Sequence, residues 1–361
     1  MFEGDRPRGG PAGPFPRKAM ILAAGLGTRL RPLTESIPKP AVPICGIPPL
    51  RWNLSLLASA GVEEVVINTH WQSQAIEAAV GDASSLGLEV HFSHEPKILG
   101  TGGGLRKAAG FFRDETFYVV NGKVLFDADL RGAASFHRER SSIATMVLRP
   151  QPDQAERSSV EIDDEGLIRR LRGEGETQAS ASLTRCLFTG VHVLEPRALE
   201  YLPDGGPACI IADGYMVMMR SGEVLSGHLQ PDEYFAEPST PRRYLMAALD
   251  VIDGRVGLER FRAGGVDPFA GCQEMTKGVF VHSTVKVDSS AILEPPCWIG
   301  KGAAIEQGAV VGPRALVEQE ATIGEGARVK DSVVWPRSRI EAGELVEGII
   351  AAGGDRVDAR D

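Results

Sequence analysis

The sequence predicts an α/β domain with a Rossmann-like, mostly parallel sheet, followed by a left-handed parallel β-helix. Short apolar strands alternate with helix-like segments from Ala19 onward, which is the pattern of a parallel sheet covered by helices. After Gly278 a strict six-residue period replaces this alternation. The chain has 361 residues, which is enough for two domains with separate cores.

The main sheet is predicted from short apolar segments separated by helical patterns. These strands are predicted at residues 19–23, 64–69, 88–94, 117–121 and 143–148. Two further short strands, 160–163 and 167–171, flank a turn formed by residues 164–166, which predicts a β-hairpin outside the alternation. Residues 242–253 predict a helix near the end of the first domain.

The six-residue period is carried by small or aliphatic side chains at two positions of each hexad. The opening positions are Val279, Val285, Ala291, Cys297, Ala303, Ala309, Ala315, Ala321, Ala327 and Val333. Two residues later come Val281, Val287, Leu293, Ile299, Ile305, Val311, Val317, Ile323, Val329 and Trp335. An amphipathic helix would repeat every 3.6 residues, so this pattern indicates a β-helix with these side chains pointing inward. Trp335 is predicted to close the end of the interior.

These patterns divide the chain into three parts. Residues 1–17, rich in Gly, Pro and Arg, predict a flexible leader. Residues 18–264 form the α/β domain, and residues 265–361 form the β-helix with a short C-terminal tail. The boundary is placed at the pair Gly264 and Gly265.

Composition excludes several classes of function. A net charge of −9 and a pI near 5.4 provide no basic surface for nucleic acid. No segment reaches membrane-spanning length, so no membrane partner is expected. The five cysteines are scattered and contain no C-x-x-C pair, which favours a reducing, cytoplasmic location.

A glycine-rich turn after the first strand is the most specific motif. It spans residues 22–34 and is followed by Lys39 between two prolines. Gly25 and Gly27 allow backbone N–H groups to approach phosphate oxygens. Arg29 offers a planar set of hydrogen-bond donors, and Lys39 offers a point charge. Two cations in this position suit a reaction between two anionic substrates.

Two other glycine-rich motifs do not match this turn. It lacks the Gly-Lys-Ser/Thr ending of a P-loop, and Leu30 stands where a dinucleotide fingerprint requires Gly or Ala. An ordinary glycine-rich turn with surface cations would account for Gly25 and Gly27 alone. The positions of Arg29 and Lys39 favour a phosphate site.

At these residues the chain resembles the sugar-nucleotide pyrophosphorylases, or nucleotidyltransferases. Their motif G-x-G-x-R-x-x-P-x-T, followed by P-K-P, is matched from Gly25 to Thr34 and at residues 38–40. The resemblance covers about residues 18–250, and mannose-1-phosphate guanylyltransferases and N-acetylmuramate-1-phosphate uridylyltransferases are the most similar families. It continues through residues 46–48, 65–70, 95–96, 99–104, 121–122 and 188–191.

The resemblance implies that a nucleoside triphosphate and a sugar 1-phosphate give a nucleotide sugar and pyrophosphate, with GTP or UTP favoured. Arg29 would bind the leaving pyrophosphate and Lys39 the reacting phosphates. Gly190 would lie beside the sugar, and Arg172 is the only cation within residues 171–174, where the resemblance places the family's sugar-phosphate lysine. The nucleotide would contact Leu22, Ala23, Ala24, Gly25, Gly27, Thr28, Gly102, Gly103, Asn121 and Gly122.

Two departures from the family affect the metal site. The family holds Mg²⁺ with an Asp after the fourth strand, where this chain has Lys123, and with a second acid whose nearest match is Glu237. A charged lysine does not ligate Mg²⁺. Either Lys123 supplies part of the metal's charge, with any Mg²⁺ brought by the triphosphate, Asp127 or Asp129, or the protein is a non-catalytic nucleotide-sugar-binding regulator or scaffold. Asp129 also suits a helix N-cap.

The second half of the chain leaves further alternatives. Hexapeptide β-helices also occur in acyltransferases, but only His282 is available as a catalytic histidine, and its place in the first coil favours a peripheral role. The flat faces of a β-helix predict a homo-oligomer. The base and the sugar are not fixed by the sequence, since the resemblance places base recognition on backbone groups and the sugar contacts are the positions that depart most.

Overall fold

The computed structural model describes residues 15–113, 115–151, 159–175 and 183–360. The predicted leader therefore lies almost entirely outside the described residues. None of the helices within these ranges is long and apolar enough to cross a bilayer.

The first part of the chain forms an α/β unit. Its strands are β1 (Lys18–Leu22), β2 (Glu64–Thr69), β3 (Glu89–His94), β4 (Phe117–Asn121), β5 (Leu125–Phe126), β6 (Ala144–Pro150), β7 (Ser159–Ile162), β8 (Ile168–Leu171), β9 (Glu174–Gly175), β10 (Thr184–Leu194), β11 (Leu225–Leu229) and β12 (Phe235–Ala236). Its helices are α1 (Pro49–Ala60), α2 (Ser73–Val80), α3 (Gly100–Lys107), α4 (Ala109–Phe112), α5 (Leu130–Glu139), α6 (Met216–Arg220), α7 (Pro241–Ile252) and α8 (Glu259–Ala263).

The main sheet has the order β3-β2-β1-β4-β10-β7-β8-β9, with β6 paired to β10 and β11 paired to β6. Strands β3, β2, β1 and β4 are parallel, whereas β10 runs antiparallel to β4 and β6. The predicted mostly parallel sheet is confirmed, and β7 and β8 form the predicted antiparallel hairpin. Parallel strands place their carboxyl ends at one edge, where open α/β sheets bind ligands.

The second part of the chain is a three-sided coil of short strands. These strands are β13 (Cys272–Thr276), β14 (Val279–His282), β15 (Lys286–Val287), β16 (Ile292–Leu293), β17 (Cys297–Ile299), β18 (Ala304–Ile305), β19 (Val310–Val311), β20 (Ala315–Val317), β21 (Thr322–Ile323), β22 (Arg328–Lys330), β23 (Ser332–Val334), β24 (Arg339–Ile340), β25 (Leu345–Glu347), β26 (Ile349–Ala352) and β27 (Asp355–Asp358).

Each side of the coil is a parallel sheet, in the orders β14-β17-β20-β23-β26, β15-β18-β21-β24 and β16-β19-β22-β25. The predicted hexad side chains from Ala303 to Val329 fill the interior and are almost fully buried. The predicted parallel β-helix is therefore confirmed.

The prediction that Trp335 closes the β-helix interior is wrong. Val317 pairs with Val334, so the interior position after Val329 comes five residues later and not six. This shift turns Trp335 outward, where its indole Nε1 donates to the Tyr244 hydroxyl of α7 over 3.0 Å. The tryptophan therefore joins the β-helix to the α/β unit.

A row of apolar side chains on the outer face of one sheet extends the contact between the β-helix and the α/β unit. Trp298, Leu316, Val333 and Ile350 are register neighbours on β17, β20, β23 and β26. All four belong to the core cluster that includes α1 and α7, and all are buried. The β-helix therefore shares a hydrophobic core with the α/β unit.

Asp129 is the N-cap of α5, as predicted. Its Oδ1 accepts a hydrogen bond from the Gly132 N–H over 3.0 Å, which satisfies one of the unpaired donors of the first turn. We expect Asp129→Ala to lower the free energy of unfolding by about 1 kcal/mol, measured by urea denaturation. Asp129→Ser should keep most of the stability, and an unchanged midpoint in the alanine variant would contradict the capping role.

Candidate active site

A cavity of about 320 Å³ opens at the carboxyl ends of β1, β2 and β4. Its shape follows from the sheet order, because these neighbouring parallel strands end side by side. Most of the residues predicted to bind nucleotide or phosphate line it. They are Leu22, Ala23, Ala24, Gly25, Gly27, Thr28, Arg29, Lys39, Asn121 and Lys123.

The glycine turn leaves β1 and folds over Lys39. Gly27 has φ +66°, and a Cβ atom there would lie 3.3 Å from the Cβ of Lys39, so both backbone and space favour glycine. The Thr34 hydroxyl donates to the Gly27 carbonyl over 2.9 Å and closes the turn. A Cβ at Gly25 would meet nothing within 4 Å, which leaves that side open to a ligand.

Three cations and one carboxylate gather in this region. Lys123 Nζ lies 2.6 Å from Glu237 Oε1, and a guanidinium nitrogen of Arg29 lies 3.6 Å from the same oxygen. Lys39 is only 5% exposed. Since three positive groups face one negative group, the region favours an anionic ligand.

Burial and charge shift two of these groups. Burial, together with the charges of Lys123 and Arg29, lowers the pKa of Lys39 to about 8, against the attraction of Glu237. Burial by itself raises the pKa of Glu237, but the charges of Lys123, Arg29 and Lys39 hold it below its usual range. Glu237 is therefore a carboxylate at neutral pH.

The buried amide of Asn68 and the buried carboxylate of Glu95 stabilise the rim of the cavity, and neither residue was predicted to belong to the site. Asn68 Oδ1 accepts from the Ala23 N–H over 2.7 Å, and its Nδ2 donates to Glu95 Oε1 over 2.8 Å. Glu95 Oε2 accepts from the Leu99 N–H over 2.9 Å. One signal in the sequence could have identified Asn68. It is the second-to-last residue of the predicted strand 64–69, and that strand lies beside the first strand.

Gly102 and Gly103 lie behind the cavity wall and not on it. A Cβ at Gly103 would stand 2.5 Å from the Gly206 carbonyl oxygen, and one at Gly102 would stand 3.1 Å from the Ile210 nitrogen. Close packing against residues 206–210 therefore explains why both positions are glycine. Gly100 and Thr101, which directly precede them in α3, line the cavity instead.

The other predicted residues also lie off the cavity wall. Gly122 packs on β1, since a Cβ there would be 2.8 Å from Ile21 Cγ2. Gly190 has φ +85° and lies against Asn121, whose side chain occupies the place of a Cβ. Arg172 is exposed between β8 and β9 and lines neither cavity described here.

A second cavity of about 550 Å³ adjoins the first at Asn121, and Glu237 lines it. The ion pair between Lys123 and Glu237 therefore stands where the two cavities meet. The first turn of α7 contributes two cations that the sequence analysis did not name, Arg242 and Arg243. The remaining lining residues are Val124, Gln151, Leu187, Phe188, Thr189, Tyr234, Phe235, Ala236, Thr240, Met246, Ala247 and Asp250.

The residues at the family's metal position do not fit a divalent cation. Lys123 places an ammonium group against Glu237, the remaining acid. Within the described residues, no group of three or more His, Cys, Asp and Glu side chains is arranged to hold a metal ion. Asp127 accepts from the Gly257 N–H, and Asp129 caps α5, so neither lines the cavity.

The fold and the cavity together define a class: an α/β protein that binds a phosphate-bearing ligand at the carboxyl edge of its parallel sheet. Comparison with known proteins refines this class. The family described as nucleotidyl transferase matches residues 18–231, and the GMPPB C-terminal domain matches residues 293–360.

Similar proteins cover nearly all of the chain. A mannose-1-phosphate guanylyltransferase of Mycobacterium tuberculosis is 29% identical over 91% of this chain and 82% of its own length. A UTP–glucose-1-phosphate uridylyltransferase of Synechocystis is 31% identical over 92% of this chain and 87% of its own length. The crystal structure of HddC from Yersinia pseudotuberculosis, 23% identical, shares the fold with a TM-score of 0.54 over 65% of this chain and 99% of that one.

The chain belongs to the nucleotidyl transferase family, as its sequence motifs predicted. It is accordingly a sugar-1-phosphate nucleotidyltransferase by class.

Proposed function

We propose that this enzyme joins GTP or UTP to a sugar 1-phosphate, with the triphosphate in the first cavity and the sugar 1-phosphate in the second. The observation that carries the proposal is the convergence of Arg29, Lys39 and Lys123 at the junction of two adjoining cavities. The similarity to a guanylyltransferase and a uridylyltransferase supports these two nucleotides.

The proposed reaction is an in-line displacement. A phosphate oxygen of the sugar 1-phosphate forms a bond to the α-phosphorus of the triphosphate, and the bond from that phosphorus to the bridging oxygen breaks. Pyrophosphate leaves with the bond's electron pair. The nucleophile is already an anion, so no general base is needed, and catalysis depends on position and charge.

Each cation has a proposed part in this step. Arg29 binds the leaving pyrophosphate, and buried Lys39 holds the reacting phosphates at short range. Lys123, fixed by Glu237, supplies positive charge where the family's metal stands. Any Mg²⁺ then enters with the triphosphate. We assign the nucleobase and ribose to the wall formed by residues 22–28 with Gly100 and Thr101.

The sugar subsite is proposed in the second cavity. Gly190 fits this assignment because it packs on Asn121, which lies on both cavities. Arg243 replaces Arg172 as the proposed cation for the sugar phosphate, since it lines the cavity and stands in the first turn of α7. The N-terminal end of a helix adds a favourable dipole for an anion.

Pyrophosphate release from the purified full chain tests the function. GTP, UTP, dTTP, CTP and ATP are each paired with a panel of sugar 1-phosphates. The proposal expects release with GTP or UTP well above that of a Lys39→Ala variant. Nucleotide-sugar binding with no release from any pair would favour the non-catalytic regulator or scaffold.

Triphosphate affinity is expected to fall as the pH rises from 7.5 to 9. Lys39 is charged below its pKa of about 8 and neutral above it, so the contact with phosphate weakens through this window. The expected loss is about tenfold, the value of one hydrogen bond to a charged group. Calorimetric titration measures it, and Lys39→Arg is the control because a guanidinium stays charged. The same pH dependence in that variant would assign the effect to another group.

A further inference from the structure

A tight turn at residues 44–47, shortly after Lys39, packs against the β-helix. Ile44 and Ile47 exchange backbone hydrogen bonds of 2.9 and 3.2 Å across the turn. Cys45 and Gly46 between them have φ values of +50° and +73°. Two left-handed residues in succession form a type I′ turn, and cysteine adopts this conformation only with support from its surroundings.

Glu318, which follows β20, provides a buried carboxylate beneath this turn. The residue is fully buried, and its Oε2 lies 3.9 Å from the place of a Gly46 Cβ. The N–H groups of Cys45 and Gly46 face the carboxylate, although neither carboxylate oxygen forms a hydrogen bond of ordinary geometry with any residue that the structure describes. Successive N–H groups in such a turn make a concave site that attracts an anion.

The burial of this carboxylate has a cost. Burial raises the pKa of Glu318 to about 7, while the two facing N–H groups oppose that rise. An apolar side chain would fill the same space without desolvating a charge. The turn is therefore the part of the structure that benefits from Glu318.

The same region of the β-helix also holds α7. The Tyr244 hydroxyl donates to the Pro43 carbonyl over 2.6 Å and accepts from Trp335 Nε1. Tyr244 belongs to α7, whose first turn lines the second cavity, and the turn at residues 44–47 follows the 3₁₀ helix Lys39–Ala41. Glu318 and Trp335 thus support the segments behind both cavities.

We propose that Glu318 is a positioning residue for nucleotidyl transfer, acting from the β-helix through the Cys45–Gly46 turn to fix the segment that carries Lys39. The catalytic part of this inference rests on the proposed function. The placement of Lys39 does not depend on the proposed function. One readout of the test therefore requires no catalytic turnover.

The first readout is the pKa of Lys39 in the full chain, from the pH dependence of its labelling by an amine reagent followed by mass spectrometry. In the native chain we expect a midpoint of about 8. Glu318→Leu removes the acceptor oxygens that face the two N–H groups, so the turn relaxes, Lys39 gains water contact, and the midpoint rises towards that of an ordinary lysine. Glu318→Gln keeps an acceptor oxygen and should stay close to the native value.

Glu320 offers a matched control two residues away. It is exposed and pairs with Arg337 on the surface of the β-helix. Glu320→Leu should leave the Lys39 midpoint unchanged. If Glu318→Leu does not fold, as judged by circular dichroism, Glu318→Asp withdraws the carboxylate by one methylene and should give a smaller rise in the same direction.

The second readout separates kcat from KM for pyrophosphate release. A positioning role predicts that Glu318→Leu lowers kcat by about tenfold or more with a smaller change in KM, because misplacement affects the transition state most. A rise of the Lys39 midpoint in a folded variant supports the inference even where the native chain releases no pyrophosphate. An unchanged midpoint in folded Glu318→Leu or Glu318→Asp overturns it.

Discussion

Lys39→Ala is expected to lower kcat/KM for nucleotidyl transfer by about 10²- to 10³-fold, the usual effect of removing one preorganised group that stabilises transition-state charge. Lys39 is the most buried of the three cations, at 5% exposure, and lies beneath the glycine turn. Its charge acts at short range with little screening, which makes its effect large.

Pyrophosphate release at saturating and limiting triphosphate measures this change. Lys301→Ala is the control because Lys301 is an exposed lysine of the β-helix far along the chain from the cavity. A Lys39→Ala enzyme within threefold of native kcat/KM would remove Lys39 from the proposed site.

Lys123→Ala is expected to lower kcat/KM by about 10²-fold, and adding Glu237→Ala should restore part of that loss. In the single variant the Glu237 carboxylate loses its partner at 2.6 Å and repels the phosphates. Removing the carboxylate as well eliminates that repulsion, so the two substitutions are not additive.

A double-mutant cycle on pyrophosphate release gives the coupling between Lys123 and Glu237. Each single variant and the double variant are measured at the same pH and magnesium concentration. Independent, additive losses would mean that the ion pair does not act as a unit in the reaction.

Much of the fold follows from local sequence patterns. The strands Glu64–Thr69 and Phe117–Asn121 were predicted with their observed bounds because each is an apolar run bounded by polar or turn residues. The interior of the β-helix follows its period from Cys297 to Val329, whereas Val287 in the first coil, predicted to point inward, is 40% exposed. After Val329 the period shortens from six residues to five, which places Val334 in the interior. The sequence does not reveal this change, because Val333 and Trp335 are as apolar as the six-residue pattern requires.

The parts of the site that a local backbone motif and nearby charges define could be predicted from the sequence. The parts formed where distant segments meet could not. The glycine turn, Arg29 and Lys39 are local, and the cavity contains them. The roles proposed for Arg243 and Glu318 depend on contacts between segments that are far apart in the sequence and that only the fold brings together. Asn68 and Glu95 lacked a chemical signature, since one amide and one carboxylate on separate segments do not form a motif.

Manganese binding to the nucleotide-free protein tests whether the pair of Lys123 and Glu237 occupies the position of a protein-held metal. Electron paramagnetic resonance counts free Mn²⁺, a probe for Mg²⁺, as protein is added to the native chain and to a Lys123→Asp variant. We expect no stoichiometric binding to the native chain and a new site in the variant, where two carboxylates face each other. Stoichiometric binding to the native chain, lost in Glu237→Ala, would contradict it.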